Sequence, residues 1–140
     1  MKRLLGALSM TAVVISGLTL SGSTTAHAAI ACSSLKWGAE GVLEEGYGEY
    51  LPRADHFHEA AYRSWRSGTH VGCLDGPVGT DFDLYLEKYI SGEWETVARS
   101  ETASSHEEIN YINGTPGWYR WKVIAYSGSG RYRMGMTHPS

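Results

Sequence analysis

Positive charge is scarce in this 140-residue chain, which carries 12 lysine and arginine side chains against 15 aspartates and glutamates. Its four lysines, Lys2, Lys36, Lys88 and Lys122, lie far apart. A protein that binds nucleic acid needs clustered cations, because it gains affinity by releasing the counterions of the phosphate backbone. The charge balance therefore predicts no nucleic-acid partner.

Signatures of catalysis are also missing. The sequence contains no Gly-x-Ser-x-Gly turn and no His-Glu-x-x-His pair, the patterns that present a serine nucleophile or hold a zinc ion. Ser64, His70 and Asp75 are the residue types of a catalytic triad, but any chain of this length contains them. We therefore expect no catalytic residue, and a small hydrolase of unrecognised type is the last-ranked function.

The first 28 residues have the pattern of a secretory signal peptide. Lys2 and Arg3 precede an apolar run over residues 4–20, and Ala26-His27-Ala28 supplies the small side chains that a signal peptidase accepts. A retained membrane anchor is the alternative, but serine, threonine and glycine residues interrupt the run, which suits a span of about 20 apolar residues poorly. We predict a secreted protein, with no membrane association after cleavage, whose residues 29–140 form one domain.

Cysteine occurs twice, at Cys32 and Cys73. A disulfide persists in an exported chain, and two cysteines leave no thiol over, so we expect the pair to be bonded. Two separate free thiols are the alternative. Closing the 42-residue loop between them would stabilise the fold by about 4 kcal/mol in the chain-entropy model, which is an upper value.

Hydrophobic periodicity predicts β-strands in the second half of the chain. Phe82, Leu84 and Leu86 alternate with Asp83, Tyr85 and Glu87, which places the two sets on opposite faces of a strand. Ser91-Gly92 predicts a hairpin turn. Apolar-periodic runs recur at the spacing of sandwiches and barrels, over residues 82–90, 94–99, 107–112, 118–126 and 131–136. We therefore predict an all-β chain, an antiparallel β-sandwich of about 7 to 9 strands.

The pattern is weaker before residue 80. We expect a first strand from Leu35, followed by a loop that ends at Pro52. Residues 55–62 alternate weakly and could form a strand or a short helical turn. Residues 68–74 lead into a turn at Asp75-Gly76-Pro77.

Histidines are candidate metal ligands in two places. On a strand, His56 and His58 would face the same side and could share a metal ion with a nearby carboxylate, although surface histidines explain the same pattern. His70 and His106 stand alone in the sequence, and we expect both to be exposed.

Aromatic side chains supply the most plausible binding groups, because tryptophan and tyrosine rings stack on sugars and on fibrous proteins at little entropic cost. In the strand over residues 118–126, odd-numbered side chains form an apolar set that predicts the core. Trp118 and Arg120 then lie on the outward side, and Tyr85 is outward on its own strand. With Trp94, which follows a hairpin, they form the predicted binding set; for any one ring, simple packing is the alternative.

Two carboxylates near the start of a strand, Asp81 and Asp83, form the predicted metal site. Together with loop carbonyls they could supply the oxygen ligands that calcium prefers. Asp75, Glu107 and Glu108 could join only if loops bring them near. The alternative is that Asp81 belongs to a turn and Asp83 simply faces outward.

Six segments of the sequence form a recognisable set. They are Gly68-Thr69-His70, Leu74-Asp75-Gly76-Pro77, Thr80-Asp81-Phe82-Asp83-Leu84-Tyr85-Leu86, Glu107-Glu108-Ile109-Asn110-Tyr111, Gly117-Trp118-Tyr119-Arg120-Trp121-Lys122-Val123 and Ala125-Tyr126-Ser127-Gly128-Ser129-Gly130-Arg131-Tyr132. In these segments the chain resembles the bacterial pre-peptidase C-terminal (PPC) domain, particularly the versions appended to secreted serine proteases, and the resemblance covers about residues 43–136. It implies a jelly-roll-like antiparallel sandwich that is not catalytic, is normally attached to an exported hydrolase, and sometimes binds an insoluble polymer or calcium.

The sequence departs from that pattern because the predicted signal peptide is followed almost directly by the domain, without a protease module. We therefore expect a stand-alone copy whose partners are separate molecules. The first hypothesis is a secreted, monomeric binding module for an extracellular polysaccharide or fibrous protein. The second is an interaction or inhibitor partner of a secreted protease.

Overall fold

The computed structural model describes residues 29–53 and 60–140, without the side chain of Asn113. The predicted signal peptide and the residues 55–59, including His56 and His58, lie outside the described residues. Within the described residues, nine β-strands follow a short 3-10 turn at Cys32–Ser34. They are β1 (Trp37–Leu43), β2 (Gly48–Leu51), β3 (Tyr62–Ser64), β4 (Gly68–Asp75), β5 (Asp81–Ile90), β6 (Glu93–Ser100), β7 (His106–Gly114), β8 (Gly117–Ser127) and β9 (Gly130–Thr137).

Two antiparallel sheets face each other. One has the strand order β1-β9-β4-β7, and the other has the order β2-β8-β5-β6, with β3 pairing to β8 beside β2. This arrangement is a β-sandwich with jelly-roll strand order, which confirms the predicted fold class. Within the described part of the chain, no helix is long and apolar enough to cross a membrane.

The core lies between the sheets and follows the predicted alternation. Phe82, Leu84 and Leu86 of β5 are fully buried. Four odd-numbered residues of the neighbouring strand β8 join the same cluster, and they are also fully buried: Tyr119, Trp121, Val123 and Ala125. The predicted hairpin joins β5 to β6, where Ser91 and Gly92 both have positive φ, as a primed two-residue turn requires.

The weaker first half contains strands that the sequence pattern did not predict. Gly48–Leu51 pairs with β8 as β2, where we expected a loop. Residues 68–75 form β4, an internal strand between β7 and β9. Gly72 in β4 is necessary there, because an added Cβ would lie 2.4 Å from the ring of Trp121. Close packing against a large ring overrides the low strand propensity of glycine.

The predicted disulfide is present. Cys32 and Cys73 are bonded, with their Cα atoms 5.1 Å apart, and both side chains are buried. The bond attaches the 3-10 turn before β1 to the middle of β4. It therefore ties the N-terminal segment to an internal strand of the sandwich.

Candidate binding face

The outward side of the sheet formed by β2, β3, β8, β5 and β6 carries the predicted binding residues, and we call it the outer face. Trp118 and Arg120 lie on β8, Tyr85 on β5 and Trp94 on β6, all with outward parity. The structure therefore brings the four residues onto one surface. Trp118, Tyr85 and Trp94 are half-buried there, so the rings are partly open to solvent.

One row of side chains crosses the outer face through four strands. Tyr50 of β2 pairs with Lys122 of β8, Lys122 with Tyr85 of β5, and Tyr85 with Arg99 of β6. The Lys122 ammonium lies 5.9 Å from the ring centroid of Tyr50 and 5.5 Å from that of Tyr85. Both distances are within the range of cation–π attraction. Cation and rings therefore hold one another in place.

Arg120 lies between two rings. Its guanidinium carbon is 3.8 Å from the ring centroid of Tyr50 and 4.3 Å from that of Trp94. Its Nε donates to Glu87 at 2.6 Å, and only 13% of the Arg120 side chain and 10% of the Glu87 side chain are exposed. An arginine covered in this way has little surface to offer a ligand. Its position instead fixes the orientation of the two rings.

A second stack at β3 was missed by sequence reasoning. The guanidinium of Arg63 lies 4.4 Å from the ring centroid of Trp65 and 5.6 Å from that of Trp118. Trp65 is 69% exposed and is the most open tryptophan of the face. The alternation of Arg63 and Trp65 with the buried Ser64 was the available signal, but three residues are too few to identify a strand by periodicity.

An acidic cluster lies at one end of the outer face, where the predicted metal site was placed. Asp83 faces outward but is only 7% exposed, and its carboxylate accepts a hydrogen bond from the Tyr85 hydroxyl at 3.3 Å. Tyr85 also donates to Glu101 at 2.6 Å. Asp81 Oδ1 is buried and has no hydrogen-bond partner among the described residues. Burial, followed by the nearby charges of Asp81, Glu101 and Glu107, raises the pKa of Asp83.

His70 is buried, and the prediction that it is exposed was wrong. The residue faces the core from the internal strand β4, where its Nδ1 lies 2.9 Å from the Tyr62 hydroxyl and its ring packs 4.1 Å from that of Tyr119. Burial, with smaller contributions from His138 and Lys88, lowers the pKa of His70 to about 4. The histidine is therefore neutral and structural at physiological pH.

His106 is partly buried rather than fully exposed. Its Nδ1 lies 2.5 Å from Oδ1 of Asp75, and its Nε2 lies 2.8 Å from Oε1 of Glu108. The hydrogen bond to Glu108, together with Asp75, raises the pKa of His106. Asp75 and Glu108 both contact His106 in the sheet formed by β1, β9, β4 and β7. Neither carboxylate therefore joins the cluster around Asp83, which lies on the other sheet.

Comparison with known proteins shows what kind of fold presents this face. No protein-family model matches the chain. The pre-peptidase C-terminal domain of a Bacillus anthracis collagenase superposes with a TM-score of 0.56 and 17% sequence identity, over 74% of this chain and 90% of that one. A mitogen from Yersinia pseudotuberculosis superposes with a TM-score of 0.57 and 17% identity, over 73% of this chain and 84% of that one. The chain therefore has the β-sandwich fold of a pre-peptidase C-terminal domain.

Proposed function

We propose that this protein is a secreted, non-catalytic module that binds an extracellular polysaccharide or fibrous protein through the outer face. The observation that supports the proposal is that, among the described residues, five rings on the outer face each lie within cation–π distance of one of three cations. The rings are Tyr50, Trp65, Tyr85, Trp94 and Trp118, and the cations are Arg63, Arg120 and Lys122.

The physical argument is preorganisation. A ring that is already held by a guanidinium or an ammonium loses little conformational freedom when a ligand stacks on it. Polymers that present repeated flat faces, such as sugar rings or proline-rich strands, suit a broad surface rather than a deep pocket. The outer face suits such a ligand, because four of its rings project from strands that run side by side in one sheet and Trp65 directly follows β3.

The proposal predicts that Trp118→Ala and Trp65→Ala weaken polymer binding more than they affect folding. The purified mature protein is sedimented with insoluble collagen, elastin, keratin, chitin, cellulose and bacterial cell wall. Loss of a central stacking ring is expected to reduce affinity at least tenfold, because such rings are typical interface hot spots. Tyr47→Ala is the matched control, since Tyr47 is 68% exposed but lies in the turn between β1 and β2.

Equal binding by parent and both tryptophan variants would contradict the assignment of the outer face. If the parent protein binds none of the polymers, the second hypothesis, a secreted protease partner, replaces the first. Co-elution of the protein with a protease from the culture fluid of its host would then support it.

We also propose that calcium can bind at Asp81 and Asp83. The fit rests on the buried, unpartnered oxygen of Asp81 and on the crowding of Asp83 by further carboxylates, which a divalent cation would relieve. Carboxylate oxygens are ligands that calcium prefers. Bound there, the ion would neutralise repulsion at the end of the outer face and hold Tyr85 near it.

The calcium proposal is tested with Asp83→Asn. The pKa of Asp83 is raised above its ordinary value of 3.8, so the protonated carboxyl group stabilises the folded state. This stabilisation is fully present below pH 3.8 and is lost as the pH rises through the raised pKa. At neutral pH in chelator, Asp83→Asn is therefore expected to melt at a higher temperature than the parent. Calcium should raise the melting temperature of the parent and leave that of the variant unchanged.

The control is Glu95→Gln, which removes one negative charge from an exposed position on β6. It should respond to calcium as the parent does. A calcium response that persists in Asp83→Asn, or that is missing in the parent at millimolar calcium, would exclude this site.

A further inference from the structure

Four side chains with metal-binding atoms meet on the side of the sheet β1-β9-β4-β7 that faces away from the core. Cys73 and Asp75 are two residues apart on β4, so their side chains lie on the same side of that strand. His106 of β7 is the cross-strand neighbour of Asp75. Cys32 joins them from the 3-10 turn before β1. One ligand atom from each of the four residues lies within 4.8 Å of the others.

The imidazole ring of His106 is oriented from two sides. Its Nδ1 faces Asp75, and its Nε2 faces Glu108 on the other side of the ring. A metal ion at Nδ1 would leave the Nε2 proton with Glu108. A carboxylate that holds the second nitrogen is the usual support of a metal-bound histidine, because it fixes both the tautomer and the ring orientation. The ring is therefore already held in the way that metal sites hold it.

The position of Cys32 depends on more than its disulfide bond. Its main chain packs against β9 at Gly135, where the Cβ of any other residue would collide with the Cys32 carbonyl oxygen. Nearby, the main-chain N–H of Ile30 donates to Oε1 of Glu108. These contacts do not involve sulfur. Opening the disulfide therefore leaves the sulfurs of Cys32 and Cys73 side by side.

We propose that Cys32, Cys73, Asp75 and His106 bind a zinc ion when the disulfide is reduced, so that the site exchanges an S–S bond for a metal ion. Thiolate, imidazole and carboxylate groups are all zinc ligands, and four of them complete the tetrahedron of a structural site. Two sulfurs and a nitrogen favour zinc over calcium, which takes oxygen ligands. The inference concerns the sheet opposite the outer face and does not depend on the proposed function.

The exchange is balanced with a dithiol as the reductant. A thiolate of the dithiol attacks one sulfur of the disulfide, and its second thiolate then releases the dithiol as a cyclic disulfide. The two electrons and two protons of the dithiol end on Cys32 and Cys73 as two S–H bonds. Zinc then forms two Zn–S bonds as these S–H bonds break, and their protons pass to solvent together with the Nδ1 proton of His106.

Both states of the site attach the N-terminal segment to β4, because each of them links Cys32 to Cys73. Two zinc-bound sulfurs lie about 3.8 Å apart in a tetrahedral site, a separation that falls within the 4.8 Å span of the ligand atoms. An exported chain carries free thiols until its disulfide forms. Zinc would keep the two cysteines together during that interval and delay their oxidation.

The test adds cobalt(II) chloride, a coloured substitute for zinc, to the mature protein after reduction with a water-soluble phosphine under nitrogen. The reduced parent is expected to show the near-ultraviolet charge-transfer band of a cobalt thiolate and the strong visible bands of tetrahedral cobalt. Both should saturate at one ion per chain. Zinc should bleach them, because it binds the same ligands more tightly than cobalt does. The oxidised parent should show neither band.

Asp75→Asn and His106→Gln keep both cysteines, and each removes one proposed ligand. Each is expected to weaken cobalt binding at least tenfold. The matched controls are Glu95→Gln, at an exposed position on β6, and His138→Gln, whose native ring stacks on Trp37 instead of joining the cluster. Both controls should bind cobalt as the parent does. If one ligand variant does not fold when reduced, the other answers the question.

A second measurement follows the disulfide itself. Zinc is expected to slow the oxidation of the reduced parent by glutathione disulfide at least tenfold, because a metal-bound thiolate is a weaker nucleophile than a free one. In His106→Gln the same zinc concentration should have a smaller effect. Equal oxidation rates of the parent with and without zinc would contradict the proposal.

Three further outcomes would overturn it. One is the absence of both cobalt bands in the reduced parent at millimolar cobalt. Another is equal cobalt binding by the parent, Asp75→Asn and His106→Gln, since the two thiols alone would then hold the ion. If the reduced parent is unfolded without metal, zinc should restore its sheet content by circular dichroism, as a structural zinc ion does. A chain that binds cobalt and stays unfolded would exclude the site.

Discussion

Replacing Cys32 and Cys73 together with alanine is expected to lower the free energy of unfolding by about 4 kcal/mol, which is the upper value for the loss of the bond itself. The two residues are separated by 41 positions, so the bond removes a large loop-closure entropy from the unfolded chain. Both side chains are also buried in the folded chain, and alanine would leave part of that space unfilled. Urea unfolding followed by tryptophan fluorescence measures the effect.

The matched control for the double variant is the parent protein reduced with a dithiol, which should lose a similar amount of stability while keeping its sheet content. A variant with the midpoint of the parent would mean that the bond contributes nothing. Two free thiols found by mass spectrometry in the exported, unreduced protein would show that the pair is open in solution.

Glu87→Leu is expected to destabilise the protein by about 3 kcal/mol, because it removes the only carboxylate that a nearly buried arginine contacts in the described structure. Arg120 would then keep its charge between Tyr50 and Trp94 without an acceptor for its Nε. A surface ion pair would contribute at most about 1 kcal/mol. The size of the loss therefore distinguishes a buried pair from a surface pair.

The double variant Glu87→Leu with Arg120→Met tests the same pair by a thermodynamic cycle. Two apolar side chains of similar volume leave no uncompensated charge, so the double variant should be more stable than Glu87→Leu alone. It should still bind polymer less well than the parent, since Tyr50 and Trp94 lose the guanidinium between them. If the double variant loses as much stability as Glu87→Leu and Arg120→Met lose together, the two side chains are not coupled.

Regular alternation in long strands made the outer face predictable in part. β5 and β8 have ten and eleven residues, long enough for an alternating run at 82–87 and at 119–125 to stand out, so the buried set and the outward set could be separated without knowing any partner strand. Trp118, Arg120 and Tyr85 were placed on one side for that reason. Their binding roles stay predictions.

Short strands and buried polar groups could not be predicted in this way. β2 and β3 have four and three residues, too few for a period to stand out, yet they bring Tyr50, Arg63 and Trp65 to the outer face. His70 looked like an isolated surface histidine, because nothing local shows that β4 is internal. Asp83 has outward parity as predicted, but neighbouring side chains cover it.

The sequence by itself determined the fold class, the pairing of the two cysteines and the side of each long strand that faces the core. These properties depend on local periodicity, on turn chemistry and on the number of cysteines, all of which can be read without a partner strand. Only the tertiary structure decided that Arg120 is held between Tyr50 and Trp94 and that His70 is buried. Those features depend on which strands become neighbours and in what register, and that is set by packing between residues far apart in the chain.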